Sequence, residues 1–251
     1  MPRLLAIGDI HGCRIALDTL LALVRPGAGD EVITLGDYID RGPNSRGVIN
    51  RLIALRKETR LIALRGNHEL MMQEVRANPG EATFLWMLNG GDRTLDSYAA
   101  KTLDDIPAAH WKFIEELRPH HETEHFIFGH ANLDPFLPLA AQPAYLLFWE
   151  HLTREVIHIS GKTFICGHTP QRSGVPLEFP RTVCIDTAAC RSGGWLTCLD
   201  VLTGRYWQAN ESGETGEGWL EIACRPLGPR VCDSPGGSQT RAPRCGNEFE
   251  R

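Results

Sequence analysis

The chain has 251 residues, enough for one large domain or two small ones, and its 42% hydrophobic and 23% charged residues are an ordinary globular balance. A formal net charge of -5 argues against a nucleic-acid or anionic-membrane surface. No apolar run approaches the ~18 residues of a membrane-spanning helix, and the start Met1-Pro2-Arg3-Leu4-Leu5-Ala6 leads into a strand too soon for a signal peptide, so a cytoplasmic location is expected.

The first half alternates strand and helix signals. Leu4 to Ile7 is a short apolar run ending in Gly8-Asp9, and Ile15, Leu17, Leu20, Leu21 and Val24 then follow helical spacing as far as Pro26-Gly27. Glu31 to Leu35 predicts a second strand, ending in Gly36-Asp37. Val48, Ile49, Leu52, Ile53 and Leu55 outline a second amphipathic helix, with Asn44 or Ser45 as N-cap. Leu61 to Leu64 predicts a third strand before Arg65-Gly66-Asn67-His68. This β-α-β-α-β order implies parallel pairing through right-handed crossovers.

From Glu69 to about His120 the pattern is helical, with an apolar stretch at Phe84 to Leu88, and a cap-like helical region over about 69–121 is expected. Strand signals return at Phe126 to Phe128, Thr163 to Cys166 and Val183 to Ile185. A hairpin is predicted from Leu196 to Val201 and Tyr206 to Gln208, turning at Thr203-Gly204. Strands without long helices between them suggest a second, mostly antiparallel sheet. The expected fold is α/β, two packed mixed sheets flanked by helices, in one domain over 1–208. Beyond Ala209 glycine and proline become dense, only Trp219 to Cys224 reads as another strand, and 209–251 is expected to be a flexible tail.

Each strand of the first half ends in a polar cluster: Gly8-Asp9-Ile10-His11-Gly12, Gly36-Asp37-Tyr38-Ile39-Asp40-Arg41-Gly42 and Gly66-Asn67-His68-Glu69. Ligands in such sheets bind outside the carboxyl ends of strands, and parallel neighbours bring those ends side by side. Downstream, Phe126-Ile127-Phe128-Gly129-His130 and Phe164-Ile165-Cys166-Gly167-His168 repeat one design, an apolar strand, a glycine and then an imidazole. A single such histidine has a simple structural explanation. Two, added to three Asp/Asn/His clusters in the same setting, point to metal chemistry. Carboxylate, imidazole and Asn carbonyl ligands suit manganese, iron or zinc, and six ligands sharing one carboxylate can hold two ions ~3.5–4 Å apart. The cysteines (Cys13, Cys166, Cys184, Cys190, Cys198, Cys224, Cys232 and Cys245) contain no Cys-x-x-Cys pair, so a closed structural zinc site is not expected and reduced, mostly buried thiols are.

The three strand-end motifs together resemble those of the PPP-type serine/threonine protein phosphatases of the calcineurin-like metallophosphoesterase superfamily, in particular the small bacterial and bacteriophage lambda phosphatase-like branch. Leu64 to Glu69, Met71-Met72, Asn89-Gly90-Gly91, His130-Ala131, Gly167-His168-Thr169-Pro170 and Ile185-Asp186-Thr187 extend the resemblance, which spans about Leu4 to Gln208. It implies two divalent ions, manganese first and iron or zinc as alternatives. Asp9 and His11 would bind one ion, Asp37 would bridge, and Asn67, His130 and His168 would bind the other. It also implies a hydroxide on the metal pair as in-line nucleophile, His68 as general acid, Asp40 orienting it, and Arg41 and Arg65 holding phosphate oxygens. The residue types suit these roles, since Arg presents a planar fork of donors and His can pass a proton near neutral pH. Asp186 is expected to orient a ligand rather than to be one.

In the lambda-like branch a further phosphate-contacting Arg follows a Trp. Here Trp149-Glu150-His151 places His151 there, with Arg154 three residues on, and both stay candidates for substrate binding. The implied activity is hydrolysis of phosphoserine and phosphothreonine in a phosphoprotein or phosphopeptide. The alternative is symmetrical diadenosine tetraphosphate hydrolysis. Those enzymes tend to carry Ala-Arg where this chain has Asp40-Arg41, and Asp where it has Glu69, so both positions favour the phosphatase. Cys13 has no phosphate-cradling Cys-x5-Arg loop, which disfavours a cysteine nucleophile. A monomer without nucleic-acid or membrane partners is expected.

Overall fold

The computed structural model describes residues 2–222. The strands β1 (Leu4–Ile7), β2 (Glu31–Thr34) and β3 (Arg60–Ala63) pair in parallel, joined through helices α1 (Arg14–Val24) and α2 (Ser45–Leu55). Asn44 caps α2, its side chain accepting the N–H of Gly47 at 2.8 Å. On the other side of β1 lie the antiparallel strands β9 (Leu196–Asp200), β10 (Arg205–Ala209) and β11 (Thr215–Trp219). The second sheet runs β4 (His120–Glu122), β5 (Phe126–Gly129), β6 (Thr163–Cys166), β8 (Thr182–Cys184) and β7 (Leu177–Phe179). Its centre, β5-β6-β8, is parallel, and its two edge strands are antiparallel.

Strand alternation sorts the side chains into layers. Ala6, Ile33 and Ile62 of the first sheet meet Phe126, Phe128, Ile165 and Val183 of the second in one buried cluster between the sheets. The opposite faces of β1 and β2, through Leu5, Ile7 and Val32, pack on α1, α2 and the helices α3 (Asn67–Ala77) and α6 (Ala108–Glu115). The outer face of the second sheet, Ile127, Phe164, Cys166 and Cys184, is covered by Leu133, Leu152 and Val156. Burying one Phe-sized side chain is worth roughly 1.5–3 kcal/mol, so this doubly covered sandwich holds its strand ends firmly.

The structure corrects several expectations. The hairpin β9-β10 extends the first sheet beside β1 rather than building a second, mostly antiparallel one. Hydrophobic period identifies a strand but not its partner. The 69–121 region is not a separate cap throughout. Met71, Met72 and Val75 of α3 and Phe113 and Ile114 of α6 belong to the main core, while α4 (Glu81–Leu88) and α5 (Gly91–Tyr98) lie further out and β4 ends the region. The segment 209–251 is not all tail, because β11 spans Thr215–Trp219, earlier than the Trp219 to Cys224 strand expected. Its turn is built by Asn210, whose Oδ1 accepts the N–H groups of Ser212 and Glu214. The remainder of the expected tail, from 223 on, lies outside the described residues. The described cysteines are unpaired thiols: Cys13, Cys166, Cys184 and Cys198 are buried and Cys190 is partly so. No helix among the described residues is long and apolar enough to cross a membrane.

One polar clamp aligns β1 with β2. The Asp30 carboxylate accepts the backbone N–H and the guanidinium of Arg3 and the N–H of Gly27. Burial pushes this carboxyl up, but these donors outweigh it and bring it down to about 2. A folded-state value below the unfolded one contributes stability above the unfolded pKa of ~3.9, and that contribution is lost as pH falls toward the folded value. Asp30→Asn is therefore expected to cost about 1–2 kcal/mol in denaturant melts at neutral pH, with the gap to the parent closing between about pH 4 and pH 2.

Candidate metal centre

The loops after β1, β2, β5 and β6 deliver Asp9 and His11, Asp37, His130, and His168, and the first turn of α3 after β3 delivers Asn67 and His68, to one place at the end of the sandwich. Two groups of ligand atoms lie within 4.8 Å of one another: His11, Asp37 and His68, and Asp37, His130 and His168. Asp37 is common to both. Its Oδ2 lies 3.4 Å from His11 Nε2 and its Oδ1 lies 3.4 Å from His130 Nε2, so each carboxylate oxygen faces a different imidazole. Asn67 Oδ1 joins the second group, 2.9 Å from His130 Nε2. Asp9 stands outside both groups. Its two oxygens accept the His168 N–H at 3.2 and 3.1 Å, which ties the first sheet's loop to the second's.

The tautomers follow from the outward nitrogens. His11 Nδ1 contacts the Ile39 carbonyl at 2.9 Å and His130 Nδ1 the Leu35 carbonyl at 2.9 Å, while His168 Nε2 contacts the Trp149 carbonyl at 3.1 Å. A carbonyl only accepts, so these nitrogens carry the protons and leave lone pairs on His11 Nε2, His130 Nε2 and His168 Nδ1. Burial lowers the pKa of all three, with His168 brought to about 3 by burial and His130, and keeps them neutral. At His130 a lone pair, an amide oxygen and a carboxylate oxygen converge with no proton among them. Such a set is repulsive unless a cation sits there, and it fits divalent metal. Burial pushes the Asp37 carboxyl up, while any positive charge on the imidazoles around it, His130 and His68 first, pulls it down, and the net direction is downward.

His68 differs from the other imidazoles. Its Nδ1 bonds the Asp40 carboxylate at 2.7 Å, and its Nε2 is buried without a hydrogen-bond partner, 3.9 Å from Asp37 Oδ2. Burial lowers its pKa, but Asp37 and Asp40 outweigh that and raise it. Neighbouring imidazoles pushed in opposite directions are suited to different tasks. Arg41 Nη1 donates to His11 Nε2 at 3.0 Å, which brings the guanidinium against the centre. Arg65 instead donates through Nη2 to the Leu117 carbonyl at 3.2 Å, with its Nε buried and unpartnered. The His151 ring stands 5.0 Å from that of His168, whereas Arg154 is exposed and makes no hydrogen bond or ion pair with a site residue among the described residues. Asp186 is buried, bonds the Ala188 N–H at 2.9 Å, and is pushed up to about 6 by burial.

The backbone here is strained. Positive φ occurs at His11, Asp37, Asp40, Arg41 and His168, five of the eight non-glycine residues with that conformation among those described. Each costs roughly 1–3 kcal/mol and persists only where its surroundings over-determine it. Gly66 and Gly167 leave the room needed: a Cβ on either would overlap the carboxylate of Asp37 or of Asp9. Glu69 ties the loops together, accepting the N–H groups of Asp37, Tyr38 and Gly66 at 2.8–3.0 Å. Sequence reasoning missed this bracing role, and also Trp86 and Thr94, which bond Asp40 at 2.9 and 2.6 Å. The available signal was Asn89-Gly90-Gly91, whose paired glycines in a helical stretch imply close backbone approach.

The calcineurin-like phosphoesterase family model matches residues 2–172. Serine/threonine-protein phosphatase 1 of Salmonella typhimurium is 34% identical over 205 residues, which is 78% of this chain and 90% of that one. A symmetrical bis(5'-nucleosyl)-tetraphosphatase of Burkholderia pseudomallei is 32% identical over 135 residues, 52% of this chain and 42% of that protein. Among solved structures, a serine/threonine phosphatase from Saccharomyces cerevisiae shares the fold with a TM-score of 0.58 at 16% identity, covering 90% of this chain and 81% of that one. By fold, site and sequence the chain belongs to the calcineurin-like phosphoesterase family.

Proposed function

We propose that this phosphoesterase is a phosphomonoesterase acting on phosphoserine and phosphothreonine in proteins. The observation that carries the reading is the buried His68–Asp40 pair with His68 Nε2 left free beside Asp37. A serine or threonine alkoxide leaves only if it is protonated as the P–O bond breaks. A nucleoside diphosphate leaves as a stable anion and needs no such donor. A dedicated proton donor is therefore more useful for a phosphomonoester than for a phosphoanhydride. The Salmonella phosphatase, aligned along most of its length, supports the same choice.

Asp9 and His11 would hold one ion, Asn67, His130 and His168 the other, and Asp37 both, with manganese the proposed metal. When bound, such a pair supplies an acidified water and positive charge against the phosphoryl oxygens. The remaining work falls to side chains. His68 Nε2–H gives its proton to the leaving oxygen while Asp40 keeps Nδ1 protonated and the ring in place. Arg41, already at the centre, would release His11 Nε2 to the metal and turn its N–H groups to phosphate oxygens. Arg65 joins it by releasing Leu117, and His151, whose ring lies beside that of His168, completes the anion pocket in preference to Arg154.

Metal analysis by mass spectrometry checks the ligand scheme. Asp37→Asn is expected to lose both ions and His11→Ala only one, and equal loss in the two variants would rule out bridging by Asp37. His68→Asn should keep its metal while kcat on a phosphoserine peptide falls ~10²–10⁴-fold. The substrate class is tested by comparing phosphoserine, phosphothreonine and phosphotyrosine peptides with diadenosine tetraphosphate. Faster ADP formation than phosphate release from the peptides would overturn the reading in favour of the dinucleotide hydrolase.

A further inference from the structure

We propose that Trp86 and Thr94 are positioning residues that lock the Asp40 carboxylate against His68, and so decide how poor a leaving group the enzyme can expel. The proposal rests on His68 being the proton donor.

Asp40 has no solvent exposure, and all its contacts are accounted for. Oδ1 accepts the Thr94 hydroxyl at 2.6 Å, while Oδ2 accepts His68 Nδ1–H at 2.7 Å and Trp86 Nε1–H at 2.9 Å. The Asp40 N–H in turn points at Thr94 Oγ1, at 2.9 Å, and at Ser45 Oγ, at 3.2 Å. Since Thr94 has one proton and gives it to Asp40, the 3.0 Å contact between Ser45 and Thr94 must be donated by Ser45. The result is a directed chain, Ser45 to Thr94 to Asp40, meeting the indole N–H at the carboxylate.

The supporting helices are built around this contact. Trp86 is the only buried residue of α4, while Phe84, Leu85 and Leu88 around it are exposed. A helix that buries one side chain and spends that side chain's single donor on Asp40 is placed for that bond. Gly91 at the start of α5 lies flat on the indole, so that a Cβ there would overlap the ring. Gly90 accepts the Arg41 N–H at 3.2 Å, which anchors the same corner to the strained Asp40-Arg41 turn. Removing either donor leaves a buried carboxylate oxygen short of a partner and free to rotate off the His68 Nδ1–H axis. His68 would then lose the fixed tautomer and aim that proton donation requires.

The test compares two substrates that differ in need of a proton. A phosphoserine peptide expels an alkoxide, whereas p-nitrophenyl phosphate expels a stabilised phenolate. In metal-loaded Trp86→Phe and Thr94→Val, kcat on the peptide is expected to fall ~10-fold or more, with KM and p-nitrophenyl phosphate turnover changed less than ~3-fold. Thr94→Ser, which restores the hydroxyl, should recover peptide turnover. Equal losses on both substrates, or none on either, in both Trp86→Phe and Thr94→Val overturn the proposal if His68→Asn shows the selective loss. If His68→Asn is itself unselective, the general-acid reading fails and this proposal with it. Matching melting curves and metal content in Thr94→Val guard against misfolding in Trp86→Phe, since the two variants probe different oxygens of one carboxylate.

Discussion

The Asp37 carboxylate is the point on which both sheets depend. It is fully buried, its two oxygens face imidazoles from opposite halves of the sandwich, and its Oδ1 also receives the His68 backbone N–H at 3.1 Å. Its carbonyl accepts the N–H groups of Ile10 and His11, and its own N–H is held by Glu69. A buried carboxylate without compensation is costly, and here the compensation comes from residues far apart in the chain. Moving any one of these loops disturbs the environment of Asp37 and, through it, the others.

The architecture makes this convergence possible by placing parallel strand ends in both sheets at one edge. The first sheet supplies short carboxylate- and amide-bearing loops, the second two glycine-histidine ends. Between them, Phe126 and Phe128 pack against Ala6, Ile33 and Ile62, so the register of the two sheets is set by core packing rather than by the polar residues. That division of labour explains the concentration of positive φ at His11, Asp37, Asp40, Arg41 and His168. A rigid sandwich can hold backbone conformations that an isolated loop would relax.

Much of the centre was legible in the sequence because its residues sit in a repeated context, an apolar strand followed by glycine and a ligand type. Periodicity found β1, β2, β3, β5 and β6, and with them the positions of Asp9, Asp37, Asn67, His130 and His168. It could not say that β9 and β10 would flank β1, since pairing is a long-range choice between similar apolar strands. Trp86 was hidden for a related reason. Within Phe84 to Leu88 an indole reads as one more apolar side chain, and only its N–H, directed at Asp40, sets it apart. Thr94 and Ser45 gave still less signal, because a hydroxyl mid-helix or at a helix start has many uses. The glycine-dense stretch after Ala209 conceals β11, because glycines at a hairpin and glycines in a linker look alike until their partners are known.

The division of ligands between the sheets has a thermodynamic consequence. A cation held by Asp37 and Asn67 from the first sheet and by His130 and His168 from the second would have a complete binding site only when the two sheets are packed in register. Its binding free energy is then also a contribution to sheet-sheet association. At a hundredfold excess over its dissociation constant, such a ligand would favour the native state by about 2.7 kcal/mol over a chain that cannot bind it. Such a centre would act as a rivet through the sandwich, coupling metal supply to the stability of the fold.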